Sequence, residues 1–369
     1  MCNTNIYKLL MRNGGVICFL LVVGATGSAQ TKFVNEFLNI GVGARAHGMF
    51  GTVTASVSDA TAAYWNTAAL TEIDATMQIN AMHANWFGGL SNYDYFGIAR
   101  KMNGSKKSFA AISLIRMGID NIPNTLNLVS PDGTIDYSRV TEFSASDYAF
   151  LVSYARHMDD QGKFSLGGNI KVIHRSIGSF ASAWGFGADL SALWRLDKLR
   201  IGLSARDITT TFNSWSFNLS DDEKNVFART GNEIPVSGTE VTLPRLIFGA
   251  AYQLQANKFS YLLAMDINFS TNGTEAGVLS GKNFSVDPAF GIEMGYVNKV
   301  FLRLGLGNIQ RVLNDVNADR RSLEFQPNMG VGLNLGRLRV DYALANVGNV
   351  AGILSSHIFS LSLDFQPRK

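Results

Sequence analysis

Cysteine is almost absent from this chain. The 369 residues contain two, Cys2 and Cys18, and both fall within the first 29. That stretch reads as a secretory signal peptide. Lys8 and Arg12 give it a positive start, Val16 to Val23 an apolar centre, and Gly27-Ser28-Ala29 a small-residue cleavage site before Gln30. A lipid-modified Cys18 does not suit, because the apolar run continues past it. Without residues 1–29 the chain has no thiol, which excludes disulfides, cysteine metal sites and a cysteine nucleophile. Long apolar runs are missing as well. No later segment offers ~18 uninterrupted apolar residues, so no transmembrane helix is expected. Charge of either sign is not in excess: without Lys8 and Arg12, the 32 basic residues fall to 30 against 29 acidic. That balance excludes an electrostatic nucleic-acid surface.

Proline is scarce at 7 residues, whereas glycine reaches 36 and aromatics 11%. This suits a glycine- and aromatic-rich β protein. The pattern that carries most information is strict alternation. Near the end, Phe359, Leu361, Leu363 and Phe365 share one face, and Ser360, Ser362 and Asp364 the other. Similar alternation marks fourteen segments, near 76–87, 92–102, 107–116, 146–157, 163–175, 181–196, 199–207, 243–254, 258–269, 287–297, 299–310, 321–335, 337–346 and 356–365. Their connections alternate in length. Tight turns such as 103–106, 158–162 and 197–198 separate longer pieces, among them 117–145, 208–242 and 270–286. Short periplasmic turns and long external loops are the habit of outer-membrane barrels. The expected fold is therefore all-β, a closed antiparallel transmembrane β-barrel of about 14 strands over residues 76–369.

Individual strands support the assignment of faces. Trp184 and Trp194 lie on one face ten residues apart, which at ~3.3 Å per residue and ~40° tilt is ~25 Å along the normal, the spacing of aromatic girdles. Phe259, Tyr261, Leu263, Met265, Ile267 and Phe269 oppose Asp266 and Asn268. Lys171, Arg175, Asp189, Arg195, Glu293, Arg303, Glu324, Arg337, Arg339, Asp341 and Asp364 all fall on the polar face. Mixed signs favour pairing across strands over a pore lining of one sign. Pro327, mid-strand, marks a bulge or a gap, since it cannot donate to a ladder.

Residues 30–75 do not alternate and are too apolar for a free tail, so their expected place is inside the lumen as a plug. A short helix is expected near Phe33–Ile40, an extended piece over 52–58, and a helix capped by Asp59 and ending near Asn66. Two runs in this segment carry a family likeness. Asn35-Glu36-Phe37-Leu38-Asn39-Ile40-Gly41-Val42-Gly43-Ala44-Arg45-Ala46, and Ser58 through Tyr64-Trp65-Asn66-Thr67-Ala68-Ala69-Leu70, resemble the opening of the PorV/PorQ outer-membrane proteins, relatives of the FadL long-chain fatty-acid transporters. Thr67 departs from the proline usual there. The resemblance implies a FadL-like plugged barrel, and a role beside larger outer-membrane machinery such as type IX secretion. It marks Asn35, Gly41, Gly43, Arg45, Asp59, Asn66 and Leu70 as plug-motif residues.

Chemistry is hard to place on this chain. The five histidines are scattered without metal-ligand spacing, and no Gly-x-Ser-x-Gly elbow is present. Gly41-x-Gly43 reads as turn glycines of the plug rather than half a phosphate fingerprint. The acidic stretches 221–223 and 314–319 read as solvated loops, not as calcium sites. No catalytic residue, metal or cofactor is expected, and the chain is not expected to be an enzyme. Apolar loop residues carry more weight. Trp215, Phe217, Leu219 and Phe227 either fold over the barrel mouth or dock on a partner. Two functions follow: an accessory subunit binding other outer-membrane or secreted proteins, or a FadL-like transporter with a lipid-like or detergent-like ligand. Either way the outer wall meets the lipid of a Gram-negative outer membrane.

Overall fold

The computed structural model describes residues 34–103, 107–129, 133–271, 279–280, 284–313, 321–347 and 355–366. The leader expected at 1–29 and the acidic stretch 314–319 lie outside these residues. Strands come first in the fold. They are β1 (Met77–Trp86), β2 (Ser91–Met102), β3 (Ser108–Asn124), β4 (Thr141–His157), β5 (Phe164–Ile177), β6 (Ala181–Leu196), β7 (Leu199–Arg206), β8 (Thr211–Phe217) and β9 (Gly238–Thr242). Then follow β10 (Arg245–Ala256), β11 (Phe259–Ser270), β12 (Leu279–Ser280), β13 (Ser285–Tyr296), β14 (Val300–Leu313), β15 (Arg321–Leu335), β16 (Leu338–Ala345) and β17 (Ser356–Phe365).

All pair antiparallel in one sheet that closes on itself. β1 joins β2 on one side and β17 on the other, with Met77 opposite Phe365 and Asn85 opposite His357. The wall has fourteen positions. β8 and β9 prolong β7 and β10, since β6 pairs with β7 through its second half and with β8 through its first. β12 adds only a two-residue rung on β13. Each expected strand segment has its counterpart among these fourteen positions.

The break between β7 and β8 has a chemical cause. Lys171 is buried, and its Nζ lies 2.8 Å from Asp189 and 2.6 Å from Asp207. Asp207 takes a left-handed backbone, φ 56°, and donates its N–H to Asp189 Oδ1 at 2.7 Å. The chain bends there so that a buried cation meets two carboxylates. At the Pro327 position both alternatives hold. The β14–β15 register shifts between Gly307 and Gln310, and β15 pairs with β16 only from Met329 onward.

Side chains divide as the alternation requires. Trp184 (52% exposed), Ile112 (66%) and Leu304 (62%) stand on the outer face, while Lys171, Asp189, Arg303 and Asp341 are buried inward. An outer belt of large apolar side chains over ionic ones is stable only against hydrocarbon. The connection expected at 117–145 is shorter than that, because β3 runs on to Asn124 and β4 begins at Thr141. Within 208–242 the chain forms β8, β9 and α-helix Asp221–Arg229, whose Ser220 cap and Glu223 make a reciprocal capping box.

The segment before β1 is compact and coil-rich. Two short helices, α1 (Ala44–Gly48) and α2 (Ala62–Trp65), alternate with 3₁₀ turns at Glu36–Asn39 and Thr67–Glu72. The extended piece expected over 52–58 is instead a set of tight turns, with Ser56 and Val57 N–H both donating to the Val53 carbonyl. The expected helix starts at Ala62, because Asp59 Oδ1 accepts from Thr61 N–H at 2.9 Å and spends its capping capacity in a turn.

Leu304→Arg tests the outer face. At membrane midplane the substitution costs about 2–4 kcal/mol, to be read by chemical unfolding of the barrel in lipid vesicles. A change near zero places that face in water.

Candidate functional site: the plug and the cavity beside it

Plug and wall approach each other backbone to backbone. A Cβ built on wall glycines Gly167, Gly202 or Gly305 would lie 2.5, 2.4 or 2.3 Å from the main chain of Ala68, Thr54 or Met49. Glycine at these inward positions is what makes room for a folded segment in the lumen. Within the plug, Gly41 has φ 96°, and a Cβ there would sit 2.8 Å from the Trp65 ring. The Trp65 indole N–H donates to the Val42 carbonyl at 2.8 Å, so the turn and the ring fix each other. Gly43, at φ 89°, precedes α1.

Ion pairs tie this segment to the barrel. Arg45 meets Glu293 through two bonds, Nε to Oε2 at 2.8 Å and Nη2 to Oε1 at 3.1 Å. The same carboxylate accepts from Arg303 Nε at 2.6 Å, and Arg303 Nη1 reaches Asp341 at 2.6 Å. Arg303 is 2% exposed. Bidentate and charge-assisted bonds of this kind are strong when water is excluded.

The other marked plug residues have definite places. Asn35 sits in a left-handed conformation, donates to Thr242 Oγ1 at 2.8 Å and accepts from Asn213 at 2.7 Å. Asp59 lies 3.9 Å from Arg339. Asn66 donates to the carbonyls of Thr54 and Ala192 and caps the next turn by accepting from Ala68 N–H. Leu70 is fully buried. Thr67 joins the network too, accepting from Asn169 at 3.3 Å. Trp215 and Phe217 fall on the same side of β8 as buried Asn213. The Trp215 indole donates to Glu240 at 2.8 Å, and the Arg175 guanidinium lies 5.1 Å from its ring. Leu219 and Phe227 follow half-buried in the next connection.

Two chambers flank the plug. On the side of the tight turns, a space of about 290 Å³ is lined by ionic groups including Arg45, Glu72, Arg200, Glu293 and Arg303. On the side of the long loops, a cavity of about 310 Å³ is lined by Phe50, Trp65 and Trp86 together with Arg206, Asp266 and Asn268. Trp86, from the loop end of β1, lies 5.3 Å from the His47 ring. The Arg206 guanidinium stacks 4.3 Å from the Tyr64 ring and donates Nη2 to the Tyr64 carbonyl at 3.1 Å. Asp266 accepts from Thr54 N–H at 3.0 Å. Alternation had put Asp266 and Asn268 on the inner face, but nothing in the sequence marked Arg206 or Trp86. Their convergence needs the register of seven strands.

No protein-family model matches this chain, and no curated protein sequence matches it. Solved structures match its fold. The CymD monoaromatic hydrocarbon channel is 13% identical, with 89% of this chain and 99% of that one covered, at TM-score 0.54. The P. putida toluene transporter TodX is 12% identical over the same shares, also at 0.54. A Pseudomonas aeruginosa FadL homologue is 12% identical over 88% and 98%, at 0.49. At such identities the likeness is one of fold. The fold and the filled lumen define the class: a closed fourteen-strand transmembrane β-barrel, FadL-like, with a plug formed by its own N-terminal segment.

Glu293→Gln removes the carboxylate that bonds both Arg45 and Arg303. Stripping a partner from a buried ion pair costs about 3–5 kcal/mol. The expected outcome is a loosened plug, seen as new tryptic cleavage at Arg45 and larger single-channel conductance in planar bilayers, with barrel heat-modifiability retained. Conductance equal to wild type would show that other contacts hold the plug.

Proposed function

We propose that this chain is a non-enzymatic channel of the Gram-negative outer membrane that accepts a small organic molecule in the loop-side cavity and passes it when the plug yields. The observation that carries this reading is the cavity itself, an aromatic-walled space of about 310 Å³ whose floor is the plug. Concave, partly apolar sites with a few convergent polar groups are the usual form of small-molecule sites. The roles of CymD as a hydrocarbon channel and of TodX as a toluene transporter, on a similar fold, support it. The outer-membrane location rests on the same likeness and on the apolar outer belt.

A second reading draws on the loop end. Leu90 (70% exposed), Tyr137 (77%) and Val236 (80%) stand in connections at that end. β3 and β4 have 17 residues each, which at ~3.3 Å per residue and ~40° tilt outrun a ~25 Å apolar band. Tyr137 is therefore beyond lipid, and exposed apolar groups in water mark contact sites. Together with the PorV/PorQ-like opening motif, this supports a role as a subunit beside a secretion machine of the type IX kind. Trp215, Phe217, Leu219 and Phe227 would then brace the loops that dock.

Ala289, which lines the cavity from β13, provides the test of the channel. In proteoliposomes the wild type is expected to give saturable uptake of toluene or benzyl alcohol, and Ala289→Phe to reduce it at least tenfold. No saturable uptake of either compound refutes the channel reading. For the second reading, photo-crosslinking from position 137 in native membranes is expected to trap another outer-membrane protein, and recovery of free monomer alone refutes it.

A further inference from the structure

The outer wall is not apolar all the way round. Asp94 of β2 points outward, and its carboxylate accepts from His83 of β1 at 2.7 Å and from Arg116 of β3 at 3.2 Å. Arg116 Nε reaches the Tyr148 hydroxyl of β4 at 3.4 Å. The four stand opposite one another, rung by rung, on consecutive strands. Their ionic side chains are open to the outside: His83 is 51% exposed, Asp94 37% and Arg116 32%.

The apolar belt is too low here to clear them. Between Asp94 and the outward, exposed Arg100, the outward residues of β2 are only Phe96 and Ile98. Six residues at ~3.3 Å each and ~40° tilt rise ~15 Å, against an apolar band of ~25 Å. On the far wall the outward residues of β11 are apolar from Phe259 to Phe269. Arginine can carry its head toward water on a long stem, but aspartate is too short to do so. Lowering the band does not free Asp94 either. β2 ends at Met102, and the turn after it would then enter hydrocarbon. A lone barrel therefore holds these ions against lipid tails, which offer neither hydrogen bonds nor opposite charge.

We propose that a second copy of this chain covers the cluster, making the β1–β3 wall the interface of a homodimer in the membrane plane. The charge layout selects the occupant. Asp94 and Arg116 are directly opposed on neighbouring strands. A two-fold axis along the membrane normal, set against the wall between β2 and β3, brings Asp94 of one copy to Arg116 of the other, twice. An isologous patch must be its own complement, and an anion beside a cation meets that condition. A partner wall of one sign, or a wholly apolar one, answers at most one of the two charges. Ala81, Phe96 and Leu114, adjacent on the same three strands, supply an apolar floor to the contact. The proposal goes beyond the channel and the subunit readings and depends on neither.

The chain's two cysteines both precede the barrel in sequence, so a thiol introduced on the wall reports contact there. Ile98→Cys, treated with a short bis-maleimide in native membranes, is expected to give a product with the mass of two copies. Leu263→Cys, exposed on the far wall, is expected to give none. On the Ile98→Cys background, Arg116→Asp sets like charges against each other across the axis. It is expected to lower the crosslinked fraction roughly tenfold. Adding Asp94→Arg restores opposite signs and is expected to recover the product, with heat-modifiable mobility confirming a folded barrel in each variant. Monomer alone from Ile98→Cys leaves the cluster to lipid headgroups and overturns the proposal. So does a product joining the barrel to a different protein, or equal dimer from both cysteine positions. An unchanged yield with Arg116→Asp, or no recovery in the doubly exchanged chain, overturns it as well. Where the charge variants do not fold, the comparison of the two cysteine positions decides.

Discussion

Hydrocarbon on the outer face of the wall is the constraint from which the rest follows. A strand in lipid has no water to receive its backbone groups, so every N–H and carbonyl must meet another strand and the sheet must have no edge. The pairing of β1 with both β2 and β17 meets that demand. Once the sheet is closed, the period of two sends every second side chain outward and every other one inward. Phe359, Leu361 and Leu363 of β17 go to lipid, while Ser360 and Ser362 go to the lumen and are buried there. Most ionic groups go inside, while Asp94 pairs with His83 and Arg116 on the outer face toward the loop end.

An interior of charges then needs something to pair with and something to exclude water. The plug provides both. Arg45 adds a cation to the wall's Glu293, Arg303 and Asp341, so that four ions of mixed sign share short bonds. Wall glycines let the plug backbone lie against the sheet, and wall side chains such as Ser360, Ser191 and Asp266 accept from its free N–H groups. A coil-rich segment of short turns is tolerated at membrane depth only because the barrel satisfies its backbone. The folding of 34–76 and the composition of the lumen face are therefore one problem with one solution.

What could be read from the residues alone follows from the range of each interaction. Alternation is local, so all fourteen wall positions and the inward side of Lys171, Asp189, Arg303 and Asp341 were visible in the sequence. Pro327 announced its irregularity because a missing N–H is a property of one residue. The turns at 52–58 were hidden. Val53, Ala55 and Val57 alternate like a strand, yet their neighbours are the wall, and tertiary contacts overrode the local pattern. The break at 207–210 was hidden for a related reason, since it depends on Lys171 two strands away. Arg206 was not marked by the sequence, because only the packed plug brings Tyr64 and Trp65 against it. Trp215 carried the same ambiguity: a loop tryptophan by sequence, it is a β8 residue whose indole is bonded to Glu240 and covered by Arg175.

The two chambers give the lumen a direction. Aromatic rings and a few fixed polar atoms lie toward the long loops, and a dense ionic cluster lies toward the tight turns, with the plug between. In the proposed channel, a molecule entering from the loops would exchange water for an aromatic wall, then meet the Arg45–Glu293–Arg303 cluster before it could leave. On the channel reading the plug must also move, and its Arg45–Glu293 tie faces the second chamber rather than the first. Cargo in the first chamber therefore does not touch that tie directly. It can bias release only through the rigid link from Trp65 and Gly41 to α1, where Arg45 resides, and the indole bond to the Val42 carbonyl is the part of that link that a ligand against Trp65 would strain.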